Sequence, residues 1–117
     1  MSKGDIGSED KTKRYDRQIR IWGESGQRAL ETADVCLVNA SACGTETIKN
    51  LVLPGIRSCE ILDGHVVTND DLKNNFFVSA DSVGKHRCAV AADLLGELNV
   101  NSFFFFFSLS SSSLCWR

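Results

Sequence analysis

The stretch ADVCLVNASACGTETIKNLVLPGI, beginning at Ala33, constrains this chain more than any other. It opens on an apolar run, Val35-Cys36-Leu37-Val38, crosses a loop of small residues ending at Gly44, and keeps a helical spacing up to Pro54-Gly55. Strand, tight loop and helix in that order form the first unit of a nucleotide-binding α/β fold. The run is apolar at successive positions, which predicts a strand over 35–38 buried between helix layers. Ile48, Leu51 and Val52 recur at i, i+3, i+4 and predict a helix over 45–53 with one apolar face. Pro54 ends it, and Gly55 fits the turn that follows.

The loop decides what such a unit can bind. A dinucleotide or ATP loop reads G-x-G-x-x-G: one glycine for the turn, one for close approach to phosphate, one for helix–strand packing. Here the six positions are Asn39-Ala40-Ser41-Ala42-Cys43-Gly44, so only the last glycine remains. Asn39 tolerates unusual backbone angles better than most residues. Ser41 places a Cβ where phosphate would approach. Glu46, read in the first turn of the helix, would satisfy its dipole and repel phosphate. The expectation is weak or absent nucleotide binding, with no cofactor of the chain's own. Asp63 closes a second predicted strand, 58–62, about twenty residues past the loop, where an acid hydrogen-bonds a ribose. Asp63-Gly64 is also an ordinary turn pair. Beside the altered loop, Asp63 reads as vestigial.

The rest of the chain divides into a flexible tail over 1–14, one partial domain over 15–100 and an aberrant tail over 101–117. Tyr15, Ile19 and Trp22 recur at i, i+4, i+7 and predict a helix, interrupted by Gly23 and Gly26 and resumed through Leu30. A polar segment over 64–75 leads to Phe76-Phe77-Val78. A second crossover helix is expected from an N-cap at Asp81 or Ser82 to about Leu98, with Cys88, Ala92 and Leu95 on one face. A third strand should follow. Instead come five phenylalanines, Phe103 to Phe107, and a serine–leucine run. Phe, Ser and Leu share pyrimidine-rich codons, so this tail reads as translated non-coding sequence; the other reading is a buried strand made of phenylalanines. High hydrophobicity without charge marks it as an aggregation hazard.

At 117 residues there is room for one small domain. A net charge of −2 shows no nucleic-acid or anionic-membrane footprint. No window approaches the roughly 20 apolar residues of a membrane span, and the polar first residues read against a secretory leader. The 5 cysteines are irregularly spaced, without a C-x-x-C pair, and read as reduced thiols of the cytoplasm or nucleus. Cys36 and Cys59, in predicted strands, read as small core residues, and Cys43 as a packing residue. His65 and His86 have no partner at a metal-ligand spacing.

Several separate strings agree in order and spacing with one family: YDRQIRIWG at Tyr15, NLVLPGI at Asn50, LDG at Leu62, NNFF at Asn74 and SVGK at Ser82. Together they resemble the ThiF-type, ubiquitin-activating superfamily. NASACGTE joined to KNLVLPGI is similar, more narrowly, to the regulatory subunits of heterodimeric neddylation-activating enzymes. The resemblance runs from about Tyr15 to Asn99. It implies an incomplete Rossmann-like, ThiF-type α/β fold: a parallel sheet flanked by helices, preceded by an N-terminal helical segment. It also implies a heterodimer in which the catalytic subunit holds ATP and Mg²⁺ and adenylates a ubiquitin-like protein. This chain would be the half with a degraded ATP site. In active halves the segment after the second strand reads D-x-D and then N-x-N-R-Q-F. Here Asp63 is kept, His65 replaces the second acid, and Asn74 and Asn75 replace the arginine and glutamine.

The resemblance gives two arginines a meaning. Arg17, in the YDRQ string, resembles a trans arginine that reaches the ATP of the partner; its other reading is a surface ion pair with Asp16 or Glu24. Arg87 stands where active halves carry a phosphate-contacting lysine, and without a phosphate cradle it reads as a solvated helix charge. The function expected is a regulatory subunit, not catalytic alone. The alternatives are the inactive subunit of a sumoylation-activating enzyme, an autonomous nucleotide-binding Rossmann enzyme, and a truncated product without function. With two strands and an open sheet edge, marginal stability is expected.

Overall fold

The structure, a computed structural model, describes residues 5–108. Helix α1 (Asp5–Glu31) is followed by strand β1 (Asp34–Val38), helix α2 (Ala42–Val52), strand β2 (Ser58–Leu62), two short 3₁₀ turns, helix α3 (Arg87–Leu98) and strand β3 (Phe103–Phe107). The three strands form one parallel sheet in the order β1-β2-β3, with Asp34 opposite Ser58 and Ser58 opposite Phe103. The α/β class and parallel sheet read from the sequence are present. The sheet has a third strand because the phenylalanine run supplies it, so 103–107 is not a structureless tail; residues 109–117 lie outside the described residues.

Both crossovers step across the sheet in the same direction. With the right-handed crossing usual for βαβ units, that places both helices on one face. Val35, Leu37, Cys59, Ile61 and Phe104 line this face and pack with Ile48 and Val52 of α2 and Cys88, Ala91, Ala92 and Leu95 of α3. Ile48, Val52, Cys88, Ala92 and Leu95 are buried, as their spacing predicts, each large aliphatic contributing roughly 1.5–3 kcal/mol. Among the described residues no layer covers the opposite face. Asp34, Cys36, Val38, Glu60, Phe103, Phe105 and Phe107 are exposed there. Strand β1 is therefore covered on one side only, and Cys36 is exposed while Cys59 is fully buried. An apolar run shows that a strand can accept two layers; it does not supply the second one.

Helix α1 starts at Asp5, so residues 5–13 are helical where a flexible tail was expected. Glu9, Lys11 and Lys13 are good helix formers and extend the helix once packing fixes its far end. The break falls where read: Gly23 is non-helical at φ 75°, ψ 174°, and a Cβ on Gly26 would lie 2.8 Å from Cδ1 of Trp22. The bent helix is clamped to the turn after α2. Tyr15, 2% exposed, covers Gly55, whose φ is 108° and where a Cβ would stand 2.8 Å from the tyrosine hydroxyl. The amides of Gln18 and Gln27 both donate to the Pro54 carbonyl, at 2.6 and 3.1 Å. Buried Asn99 donates to the Tyr15 hydroxyl at 2.8 Å and to the Val52 carbonyl at 2.9 Å.

Helix α3 begins later than its sequence pattern. Ser79 caps a 3₁₀ turn at Ala80–Ser82. Gly84, at φ 86°, then turns the chain, and Val66 bridges to His86. The helix is capped at His86 rather than at Asp81 or Ser82.

Candidate functional site

The carboxyl ends of β1 and β2 converge on the loop that would hold a nucleotide in a fold of this class. Asn39 is the only non-glycine described residue with positive φ, at 74°, and so takes the conformation of the first glycine. A Cβ on Gly44 would lie 2.7 Å from the Asn39 carbonyl oxygen and 2.9 Å from Cδ1 of Leu37. That is the physical reason the third glycine stays. Ser41 is the N-cap of α2, and its Oγ accepts the Gly44 N–H at 3.2 Å. The serine thus occupies a donor that a phosphate would use. Glu46 does not lie in the first turn, which holds no acid. It pairs instead with Lys49 on the outer surface, so repulsion by Glu46 is no part of the loop's chemistry.

Asp63 and Arg87 meet below this loop. Asp63 has a side chain 1% exposed and Arg87 one 9% exposed. Oδ2 of Asp63 accepts Nε of Arg87 at 2.6 Å and the Ala40 N–H at 3.1 Å. Oδ1 faces the His65 N–H at 3.0 Å and the His65 ring at 2.8 Å. The rest of the guanidinium reaches Asp71 at 3.2 Å, the side-chain oxygen of Asn39, and the His65 ring at 3.4 Å. Burial works to raise the Asp63 carboxyl, but the hydrogen bonds from Arg87 and His65 outweigh it and hold it below the ordinary range. Burial likewise opposes the charge on Arg87, and its two carboxylates raise it further above its usual value. Asp71 is lowered against its own burial by Thr68 and Arg87.

One expectation is corrected here. Arg87 is not a solvated helix charge; it is buried and ion-paired. Both oxygens of Asp63 are engaged within the chain. A second lock lies beside them. Buried Asn75 donates to the Ala40 carbonyl at 3.2 Å, while its oxygen accepts the Phe77 N–H at 3.0 Å and faces the Thr45 hydroxyl at 3.3 Å. Sequence reading noted Asn75 only as a replacement. Its signal was its place before the apolar Phe76-Phe77-Val78 run, of which Phe77 and Val78 are buried and Phe76 is 77% exposed.

A family model for the ThiF family matches residues 15–104, most of the chain. The chain belongs to the ThiF family. It is 57% identical over 89 residues to a NEDD8-activating enzyme E1 regulatory subunit of Danio rerio, and 55% identical over 92 residues to the regulatory subunit AXL of Arabidopsis thaliana. These alignments cover 76% and 79% of this chain and 17% of each relative. The chain thus spans about a sixth of the length of the relatives it matches. In fold it is similar to the E. coli tRNA N6-threonylcarbamoyladenosine dehydratase crystallised with ATP. That match has a TM-score of 0.77 at 19% identity and covers 85% of this chain and 41% of that one.

Within this ThiF domain the remaining candidates separate. Arg17 is exposed. Asp16 pairs with Arg20 at 3.0 Å, and Arg17 has no hydrogen bond or ion pair among the described residues. Tyr15 and Gln18, beside it in the YDRQ string, face inward to the Pro54-Gly55 turn. The string and the turn, both part of the ThiF resemblance, are therefore in contact. Cys43, read as a packing residue, is exposed. His86 lies near Ser108, with Nδ1 and Oγ 2.8 Å apart. No cluster of His, Cys, Asp or Glu among the described residues is arranged to hold a metal, and no described helix is long and apolar enough to cross a membrane.

Proposed function

We propose that this chain supplies the non-adenylating part of a NEDD8-activating enzyme regulatory subunit. In this reading it pairs with a catalytic subunit that binds ATP and Mg²⁺ and adenylates a ubiquitin-like protein. The observation that carries it is the internal occupation of the phosphate region. Arg87 and Asp63 neutralise each other where a nucleotide's charge would be met, and Ser41 caps the helix that would receive phosphate. A triphosphate would have to displace a buried ion pair and a cap together. The residues present do not fit ATP.

The contribution to chemistry assigned to this half is Arg17. Its neighbours Tyr15 and Gln18 fix the helix, and its own guanidinium has no partner among the described residues. A planar cation of this kind holds phosphate oxygens and offsets the charge that develops as pyrophosphate leaves. The test is a reconstitution of the full-length regulatory subunit carrying Arg17→Ala with its catalytic partner. ATP–pyrophosphate exchange should fall by about a hundredfold or more while the complex still assembles. Exchange at the wild-type rate would remove Arg17 from the reaction.

A further inference from the structure

The outer edge of β3 carries two features the activating-enzyme reading does not use. First, its backbone is unpaired on one side among the described residues. Strand β3 has one neighbour, β2. The Phe103 N–H donates to the Arg57 carbonyl at 2.9 Å, and the Phe107 carbonyl accepts the Asp63 N–H at 3.2 Å. In a parallel ladder the groups of alternate residues turn the same way. Phe103, Phe105 and Phe107 thus turn to β2, and the N–H and C=O of Phe104 and Phe106 face outward. Second, nothing among the described residues guards that edge: residues 103–107 have no charge, proline or bulge, the devices that normally blunt an edge strand. Phe103, Phe105, Phe106 and Phe107 are 64%, 57%, 47% and 51% exposed.

We propose that β3 is a self-association edge whose occupant is β3 of a second copy of this chain, antiparallel across a two-fold axis at Phe105. An antiparallel partner is the arrangement in which one strand meets its own copy in a closed, isologous pair. Centring the axis on Phe105 sets Phe104 of each copy opposite Phe106 of the other. All four outward backbone groups of each strand are then satisfied, and Phe105 faces Phe105 as the close, non-hydrogen-bonded pair. The sheet becomes six strands in a 1-2-3-3-2-1 order. On its open face the phenylalanines at 103, 105 and 107 run alongside those of the second copy, as aromatic cross-strand pairs do.

The charges permit it. Glu60, which shares the open face in register with Phe105, would lie three strand spacings from its copy, roughly 14 Å. That exceeds a Debye length of about 8 Å at physiological salt. Covering half of four phenylalanines per copy buries roughly 800 Å² in total, below the ~1,200 Å² of stable interfaces. The association is therefore reversible and concentration-dependent.

The test is sedimentation equilibrium of the 117-residue chain over a wide concentration range, beside Phe106→Pro and Phe105→Lys. Proline at 106 removes an N–H that faces away from β2, so it leaves the intramolecular ladder intact while deleting an intermolecular bond. A monomer–dimer equilibrium weakened about tenfold or more by each variant is expected, with circular dichroism unchanged. Cross-linking keeps the test decisive if either variant unfolds. With Cys36, Cys43 and Cys115 replaced by serine, Phe105→Cys should form a symmetric disulfide under mild oxidation, because Cα atoms about 4.5 Å apart fall within disulfide reach. Phe104→Cys, opposite position 106, should not. A monomer at every concentration, a dimer indifferent to both variants without a 105–105 disulfide, or open-ended assemblies instead of dimers would overturn the proposal.

Discussion

Replacing Asp63 by Asn tests the central physical claim about the loop, that its charge is met from within. The asparagine keeps the shape but offers one acceptor oxygen where Asp63 uses two. Its amide must then face either the Arg87 and Ala40 donors or the His65 donors. Removing one partner of a buried ion pair costs about 3–5 kcal/mol. Asp71, 3.2 Å from Nη1 of Arg87, and Asn39 still surround the guanidinium, so the low end applies: ~3 kcal/mol. Ordinary domains have about 5–15 kcal/mol in total, and a sheet covered on one face lies toward the bottom of that range. Urea unfolding at pH 7, followed by far-UV circular dichroism, should show the midpoint falling by about 2 M at a slope of ~1.5 kcal/mol per M. The pH dependence gives the sign. The Asp63 carboxyl is depressed in the folded chain. Its contribution is complete above the unfolded value of about 3.9 and is lost as pH falls through the lower folded value. The gap between wild type and variant should therefore be constant from pH 7 to about 5 and close below about pH 4. Asp63→Leu combined with Arg87→Met should cost less than Asp63→Asn alone, because it leaves no buried charge unpaired. A loss under ~0.5 kcal/mol at pH 7, or a gap that persists unchanged below pH 4, would refute the reasoning.

Gly44→Ala should destabilise the chain by about 1–3 kcal/mol, since its methyl meets the Asn39 backbone and Leu37 side chain; a urea midpoint equal to wild type would show that the loop relaxes freely. A fluorescent ATP analogue should show no micromolar binding to the chain, checked by anisotropy titration. Thiol labelling of the native chain should be fast at Cys36 and Cys43 and slow at Cys59 and Cys88. Burial pushes the Cys59 thiol up to about 11, so even at mildly alkaline pH it should react only on unfolding, as read by mass spectrometry of labelled peptides.

What the sequence disclosed and what it withheld follow from the range of each interaction. Strand 58–62 was legible to the residue because Pro54-Gly55 and Asp63-Gly64 punctuate both sides. The apolar faces of α2 and α3 were legible because periodicity is local. The burial of Arg87 was not: its partners lie 24 residues away at Asp63 and 48 away at Asn39, and one charged residue at the start of a helix looks like any other. The start of α3 was missed because the bridge from Val66 to His86, a non-local pairing, holds the chain extended until His86. Cys36 was misplaced because a run of apolar residues records compatibility with two layers, whereas the direction of the two crossovers put both helices on one. The phenylalanine run was the reverse case. It has no helical or alternating period and a strand was only its second reading, yet β2 needed a neighbour and five β-favouring residues provided one, mostly exposed rather than buried.

The clamp between Tyr15, Gln18 and the Pro54-Gly55 turn makes the aim of Arg17 a property of a joint some forty residues downstream. Any side chain added at Gly55 would push the tyrosine hydroxyl outward and swing the helix about its bend at Gly23. In the proposed reading, a lesion at Gly55 would then redirect Arg17 while leaving its charge in place, and restoring the angle of the helix, rather than the charge, would be the cure.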